Sequence, residues 1–460
     1  MRRSLWLAAA SSVALVAAAP LHAQVSSTDL TLPPGTAIPN YDRIRIGQNE
    51  AMEGNAYVAR TGDAGSSWYN PAGLAQSERT QLNAGGNAYE LTSFSIEGLG
   101  ESKGRTRLAP IGTYFGGVLG DPVIHSKKLR LGFSIARPIS WTPSRVEGAF
   151  ETTGPSGTED FLYSSFVSLT TDVPTIDAGY KLGDHLRIGA GIGMAITSLY
   201  QSQTVSDRLL NGGSATGVLR AFETEGQNMS LLVSGGLQAD LGSSIRVGAL
   251  VTAPGSKISG SSRITFQSTA YQGAASRDAS FNDEEADFDF ANPLRVSGGI
   301  ALKLGKGEIE ADVLYRGSRD PYELYSSDVA ATVVRVDSTG TASTSTVAFA
   351  PAIEEARAIT NIAIGGNYPL SDKVRAHAGF FTDNSPVGNA ATSIYRKVDL
   401  VGGSLGVSLK FGALSGSLGV TGSSGTSEKR SAGTTLGGVP TVTEVKVSTF
   451  TALYALSYAF

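Results

Sequence analysis

The chain closes on Phe450-Thr451-Ala452-Leu453-Tyr454-Ala455-Leu456-Ser457-Tyr458-Ala459-Phe460. Phe450, Ala452, Tyr454, Leu456, Tyr458 and Phe460 alternate with Thr451, Leu453, Ala455, Ser457 and Ala459, large and apolar against mostly small. A period of two with one greasy face is the pattern of a strand that shows lipid on one side and a barrel interior on the other. Working back along the chain, Leu186, Ile188, Ala190, Ile192, Met194 and Ile196 repeat it against Arg187, Gly189, Gly191, Gly193 and Ala195. So do Met229, Leu231, Val233, Leu237, Ala239 and Leu241, and so do Leu129, Leu131, Phe133 and Ile135.

The connections alternate as well. Short turns are expected near 183–185, 242–244, 305–307, 371–372 and 412–413, with a looser one at 120–127. Between them fall long polar stretches at roughly 98–106, 142–160, 202–226, 254–292, 317–357, 383–397 and 422–447. Short turns at the periplasm and long loops outside are the habit of outer-membrane barrels. Six turns and seven loops join about fourteen strands, an even count that puts both barrel ends at the periplasm. The fold class is therefore all-β, a transmembrane antiparallel β-barrel. The terminal Phe460 resembles the signal read by the barrel-assembly machinery.

Composition agrees. Charged residues are 17% of 460, against about 25% in soluble domains, and 56 residues are glycine. Mean hydropathy is -0.01, far from that of a helical membrane protein. Arg2 and Arg3, the apolar run Leu5 to Ala19 and Leu21-His22-Ala23 read as a secretory signal peptide over 1–23. Its removal takes two arginines away, moving the net charge from -4 to -6. The acidic balance argues against a nucleic-acid partner. Absence of cysteine excludes disulfides and thiolate metal sites. The expected location is the outer membrane of a Gram-negative bacterium, as a monomer among lipid and lipopolysaccharide.

Residues 24–77 do not alternate and precede a first strand expected from Glu78 to Ile96, so the barrel domain is 78–460. Such a segment is long enough to enter the lumen as a plug. It runs Asn49-Glu50-Ala51-Met52-Glu53-Gly54-Asn55-Ala56-Tyr57-Val58-Ala59-Arg60, then Asp63-Ala64-Gly65-Ser66-Ser67-Trp68-Tyr69-Asn70-Pro71-Ala72-Gly73-Leu74-Ala75. This resembles the N-terminal hatch of the FadL-type outer-membrane channels, whose most recognisable feature is the Asn-Pro-Ala-Gly-Leu core. Gly379-Phe380-Phe381-Thr382-Asp383-Asn384-Ser385-Pro386-Val387 resembles a late strand of the same family. The resemblance implies a fourteen-stranded barrel with an N-terminal hatch, passive uptake of long-chain fatty acids or hydrocarbons, and sideways release through the wall. It makes Asn70, Pro71, Ala72, Gly73 and Leu74 the gate motif.

Three further groups of residues invite a role. Pro138 and Pro174 fall at similar heights on neighbouring strands, and proline cannot donate to a ladder. They are candidate breaks for a lateral opening; the plain alternative is that both lie above the membrane. Arg130, Arg187, Arg246 and Arg375 each follow a lipid-facing residue just after a periplasmic turn, so they face the lumen. They are candidate contacts for hatch carboxylates such as Asp42, Glu50, Glu53 or Asp63, or for a substrate carboxylate, against plain solvated polarity. Asp283, Glu284, Glu285, Asp287 and Asp289, in the long loop expected after strand seven, lack the glycine spacing of a calcium loop and read as a solvated surface loop, with a divalent ion shared with lipopolysaccharide as the alternative. The histidines after the leader are His125, His185 and His377, and no nucleophile elbow, zinc-protease motif or phosphate loop occurs. No enzymatic activity, metal or cofactor is expected. The rival readings are a diffusion porin, which would need no Asn-Pro-Ala-Gly-Leu segment, and an adhesive barrel acting through its loops. Those loops show little apolar surface, with Leu209-Leu210 and Ala221-Phe222 the main exceptions.

Overall fold

The computed structural model describes residues 40–97, 111–141, 146–154, 157–387, 397–428, 430–434 and 440–460. The leader 1–23 and the first part of the hatch segment lie outside the described residues. The barrel strands are β1 (Gln81–Glu97), β2 (Ile111–Leu119), β3 (Leu129–Trp141), β4 (Gly157–Lys181), β5 (Leu186–Asn211), β6 (Ser214–Leu241) and β7 (Ile245–Thr252). They continue as β8 (Arg295–Leu304), β9 (Gly307–Arg316), β10 (Ile359–Pro369), β11 (Val374–Asp383), β12 (Leu400–Phe411), β13 (Leu414–Thr426) and β14 (Pro440–Ala459). Each pairs antiparallel with the next. β14 returns to β1, from Gln81↔Ala459 to Glu97↔Glu444, so the sheet closes. A closed sheet leaves no edge in lipid, where an unpaired backbone group would cost several kcal/mol. The expected fourteen strands and six short connections are all present, with strand one starting at Gln81 rather than Glu78.

The side-chain alternation falls as the sequence requires. On β5, Leu186, Ile188 and Ile192 are exposed toward lipid while Arg187, Ala195, Thr197 and Leu199 are buried. Tyr180, Tyr368, Phe411, Tyr458 and Phe460 stand exposed beside the short turns and chain end, an aromatic belt at the periplasmic interface. Higher up, Phe166 and Tyr200 pair on the outer face with ring centroids 5.9 Å apart.

The long stretches between strands are not loose polar loops. β4, β5 and β6 have 25, 26 and 28 residues, roughly 80–90 Å of chain at strand rise, against an apolar band of about 25 Å. Their upper halves continue as sheet through 157–170 and 202–231. The β5–β6 turn is tight, with Gly212 and Gly213 both at positive φ (54° and 86°). Hairpins Ser256–Gln272/Ala275–Phe288 and Ala330–Val336/Ala342–Ala348 extend this sheet beyond β6. The inner face of the extension carries Phe161, Tyr163, Phe222, Ile264, Phe266 and Phe281, all buried in one apolar core. Phe288 stacks on Tyr325 at 5.3 Å. The apolar surface judged scarce in the loops is thus ample. It reads as sparse because only every second residue contributes and polar partners face water. The acidic run is on a strand rather than in a loop: Asp283 to Asp287 fall on Ala275–Phe288 and Asp289 just past its end, with Asp287 paired to Lys257 at 2.7 Å.

Candidate functional site

Residues 40–77 lie inside the barrel, and their geometry is set by the Asn-Pro-Ala-Gly-Leu run. Asn70 caps the 3-10 turn Pro71–Gln76: its Oδ1 accepts from the Ala72 amide at 3.1 Å. Pro71 stands at the first turn position, where its missing N–H costs nothing. The Asn70 side-chain amide donates to the carbonyl of Val58 at 2.9 Å and to that of Leu237 on β6 at 3.0 Å, tying two parts of the segment to the wall. Leu74 is fully buried. The wall offers glycine where this turn lies: a Cβ at Gly189 would collide with the Pro71–Ala72 peptide, and one at Gly236 with Asn70 Oδ1. Gly236→Val should therefore lift the turn off β6. Detergent-solubilised protein is expected to lose its resistance to trypsin at the buried Arg45 and Arg60 while the barrel keeps its heat-modifiable migration; unchanged resistance would show that the glycine is dispensable.

A second anchor is electrostatic. β9 turns Glu310 and Asp312 to the lumen, both essentially unexposed. Asp312 Oδ2 accepts the amides of Tyr57 and Val58 at 2.8 and 3.1 Å. Glu310 accepts those of Ala59 and Arg60 at 2.6 and 3.2 Å, and the Arg60 Nε at 3.0 Å. Four consecutive backbone N–H groups thus wrap two wall carboxylates, the arrangement by which a nest of amides holds an anion. Arg60 also pairs with Glu53. Glu53 Oε1 lies 2.5 Å from His377 Nδ1 on β11, and His377 Nε2 lies 2.8 Å from Ser408 Oγ on β12. The segment is clamped from β9 round to β12.

The wall itself is interrupted beside the segment. Between β3 and β4 the register shifts from Ala136↔Val173 to Ile139↔Thr171, a bulge holding Arg137 and Pro138. Between β4 and β5 the pairing runs to Asp172↔Ile196 and resumes at Thr175↔Gly193, skipping Val173 and Pro174. Pro174 itself stands opposite Ile135 on β3. The two prolines are therefore brought together, with ladder missing on both sides of β4. Outside the bulge Arg137 grips Asp172 with two bonds of 2.7 and 2.8 Å. Inside it lies a cavity of about 70 Å3. Pro138, Val173 and Gly193 line its wall side, Ser67 and Trp68 its segment side, and Arg295 and Arg316 its far end.

A barrel closed in this way, with an N-terminal segment folded into its lumen, matches solved structures over nearly its whole length. A Pseudomonas aeruginosa FadL homologue superposes with a TM-score of 0.58 at 16% identity, covering 93% of this chain and all of that one. The Pseudomonas putida toluene transporter TodX gives 0.57 at 14%, covering 92% and 100%. The Ralstonia pickettii toluene transporter TbuX gives 0.53 at 15%, covering 90% and 98%. This is the fold of the FadL-type channels. No family model matches the chain, and no curated protein matches it by sequence. Hatch motif and three-dimensional fold point to the same FadL-type architecture by separate routes, and two of these neighbours are named as toluene transporters.

Within this barrel the four lumen arginines go to partners other than the hatch carboxylates. Arg187 and Arg246 share Asp240 on β6. Arg375 donates to Asn367 at 3.0 Å. Arg130 donates to the Ser77 carbonyl at 2.6 Å, a contact with the end of the N-terminal segment but not with a carboxylate. Asp42 pairs with Arg316 and Asn361, Glu53 with Arg60 and His377. Glu50 accepts the Gln48 amide and Asp63 that of Gly65. The sequence reading overlooked Glu310, Asp312 and Arg295 and assigned His377 no role. A signal existed: in Gly307-Glu308-Ile309-Glu310-Ala311-Asp312-Val313, every carboxylate sits on the lumen register of a spanning strand, and such residues are functional by default.

Proposed function

We propose that this chain is an outer-membrane channel for passive uptake of hydrophobic small molecules, long-chain fatty acids or hydrocarbons, gated by residues 24–77 as a plug and releasing its substrate sideways. The observation that carries this reading is the cavity that joins Trp68 of the N-terminal segment to Pro138 and Val173 at the interrupted wall. A greasy molecule gains nothing from a water-filled pore. Leaving through the wall into lipid keeps its apolar surface out of water, at roughly 25 cal/mol per Å2. The cavity is far smaller than a ligand site of about 300–1,000 Å3, which suits a closed state in which segment or wall must yield before substrate passes. Asn70, Pro71 and Ala72 lie against β5 and β6, a few residues along the chain from Ser67 and Trp68 at the cavity, which supports a role for the motif in coupling the plug to the exit. The neighbours support the class of cargo, since they include a FadL homologue and toluene transporters.

The test is uptake of a labelled long-chain fatty acid and of a small hydrophilic sugar by cells lacking their own hydrophobic channel. Wild type is expected to take up the fatty acid and admit little sugar. Asn70→Ala/Pro71→Ala, which removes the cap and both Asn70 side-chain tethers, is expected to lower fatty-acid uptake about tenfold. Free sugar entry with no fatty-acid uptake would make the protein a diffusion porin.

A further inference from the structure

Two acids of the N-terminal segment face each other with no cation between them. Glu50 opens the 3-10 turn Glu50–Glu53, which packs on β10 to β13. Asp63 precedes the short helix Ser66–Tyr69, which packs on β3 and β4. Glu50 is fully buried and Asp63 half-buried. The Gln48 amide donates to Glu50 Oε2 at 2.7 Å, and the Gly65 amide to Asp63 Oδ1 at 2.9 Å. Among the described residues no N–H or O–H donates to Glu50 Oε1. The Glu50 carboxyl turns instead to that of Asp63, within hydrogen-bonding reach. Glycine makes the room. A Cβ at Gly65 would overlap Glu50 Oε1 and stand 3.1 Å from Asp63 Oδ1, and one at Gly47 would stand 2.6 Å from Glu50 Oε2. Two carboxyl groups brought this close cannot both ionise, and one proton between them turns repulsion into a hydrogen bond.

The groups around the pair do not replace that proton. Glu53 is taken by Arg60 and by His377 of β11. Arg60 also serves Glu310, while Arg43 and Arg45 lie on the rings of Trp141 and Phe381. Tyr57, Tyr69 and, from β2, Tyr114 surround the two acids. The Tyr69 hydroxyl donates to the Ile46 carbonyl at 2.7 Å, and that of Tyr114 to the Ala64 carbonyl. Asp177 of β4 is an acid too, and accepts from Thr175 Oγ1 at 2.9 Å. Burial, and after it the charge of Asp63, pushes the Glu50 carboxyl well above the ordinary range; burial pushes Asp63 up as well. We propose that one proton shared by Glu50 and Asp63 joins the two halves of the plug, and that its loss in alkaline medium loosens the plug. The inference rests on the plug reading above and adds a control to it. Half-buried Asp63 gives the proton its way out to lumen water. Because the seated segment holds the proton more tightly than a loosened one, seating is strongest below about pH 4. It weakens as pH rises from there toward the raised value of the pair. One proton released per opening changes the ratio of open to seated segment by about tenfold per pH unit at most.

Planar-bilayer conductance of the full-length protein in potassium chloride, followed from about pH 5 to about pH 9, tests this. The open fraction of wild type is expected to rise by about tenfold or more across that range. Glu50→Gln should abolish the rise and keep the open fraction low. Its amide accepts the Gln48 N–H and donates permanently to Asp63, as the proton does. Asp63→Asn should do the same from the other side. Asp177→Asn should keep the wild-type rise. Heat-modifiable migration reports that each variant is folded. A flat wild-type profile would overturn the shared proton, as would a rise that survives in either Glu50→Gln or Asp63→Asn. A rise lost in Asp177→Asn would overturn it too, by giving the proton to Asp177. The channel reading has its own measurement, fatty-acid uptake at a single pH, so the two fail separately.

Discussion

Alanine at both Glu310 and Asp312 is expected to make the barrel leak small hydrophilic solutes. These two side chains accept four backbone amides of the N-terminal segment and one guanidinium N–H. A hydrogen bond to a charged group contributes about 1.5–3 kcal/mol, so the loss of only two of the five shifts seated against unseated segment by about a hundredfold. The amides left behind have no partner in the lumen except water, which can reach them only if the segment moves. Both residues face inward, so the strand pairing of β9 with β8 and β10 is untouched and the barrel should still assemble. Planar-bilayer conductance and sugar influx into cells measure the effect. Each single substitution should give less than half of it, because either carboxylate alone still holds two amides. Wild-type conductance in the double variant would falsify the claim that this pair seats the segment, and would leave the work to the Glu53–His377 contact and the Asn70 tethers.

Closing the wall should have the opposite effect on cargo. Pro138→Val with Pro174→Val returns a donor to β3 and to β4 where pairing is now missing. Two restored backbone hydrogen bonds at about 0.5–1.5 kcal/mol each would oppose opening by about tenfold or more. Uptake of labelled fatty acid is expected to fall by that factor, with unchanged heat-modifiable migration showing that the barrel still folds. Without ladder at this point, the paired bonds between Arg137 and Asp172 are what ties β3 to β4 on the outer face. Unchanged uptake in the double variant would mean that the gap is a fold feature only and that cargo leaves elsewhere.

How much of this was readable beforehand follows from range. Alternation in Leu186–Ile196 and Phe450–Phe460 is a local consequence of strand geometry meeting lipid, and it placed the faces of β5 and β14 correctly from the chain alone. Turn residues such as Gly242, Gly305 and Gly412, all at positive φ, marked the periplasmic rim for the same local reason. The upper sheet was missed because its inward residues, Phe161, Tyr163, Ile264 and Phe266, alternate with polar ones in stretches that read as loops by composition.

By itself, then, the sequence determined a β-barrel, its strand count, its lipid face, and the local chemistry of Asn70-Pro71-Ala72-Gly73-Leu74, where Asn caps and Pro starts a turn. Tertiary structure alone decided the pairings across the lumen. Arg187 found Asp240 rather than a hatch carboxylate because both are fixed on neighbouring strands at the same height. Glu310 met Ala59, and Arg295 came to rest on the ring of Trp68, because closure of the sheet sets which side chains share a height inside it. Such contacts join residues up to hundreds of positions apart, and no local periodicity encodes them.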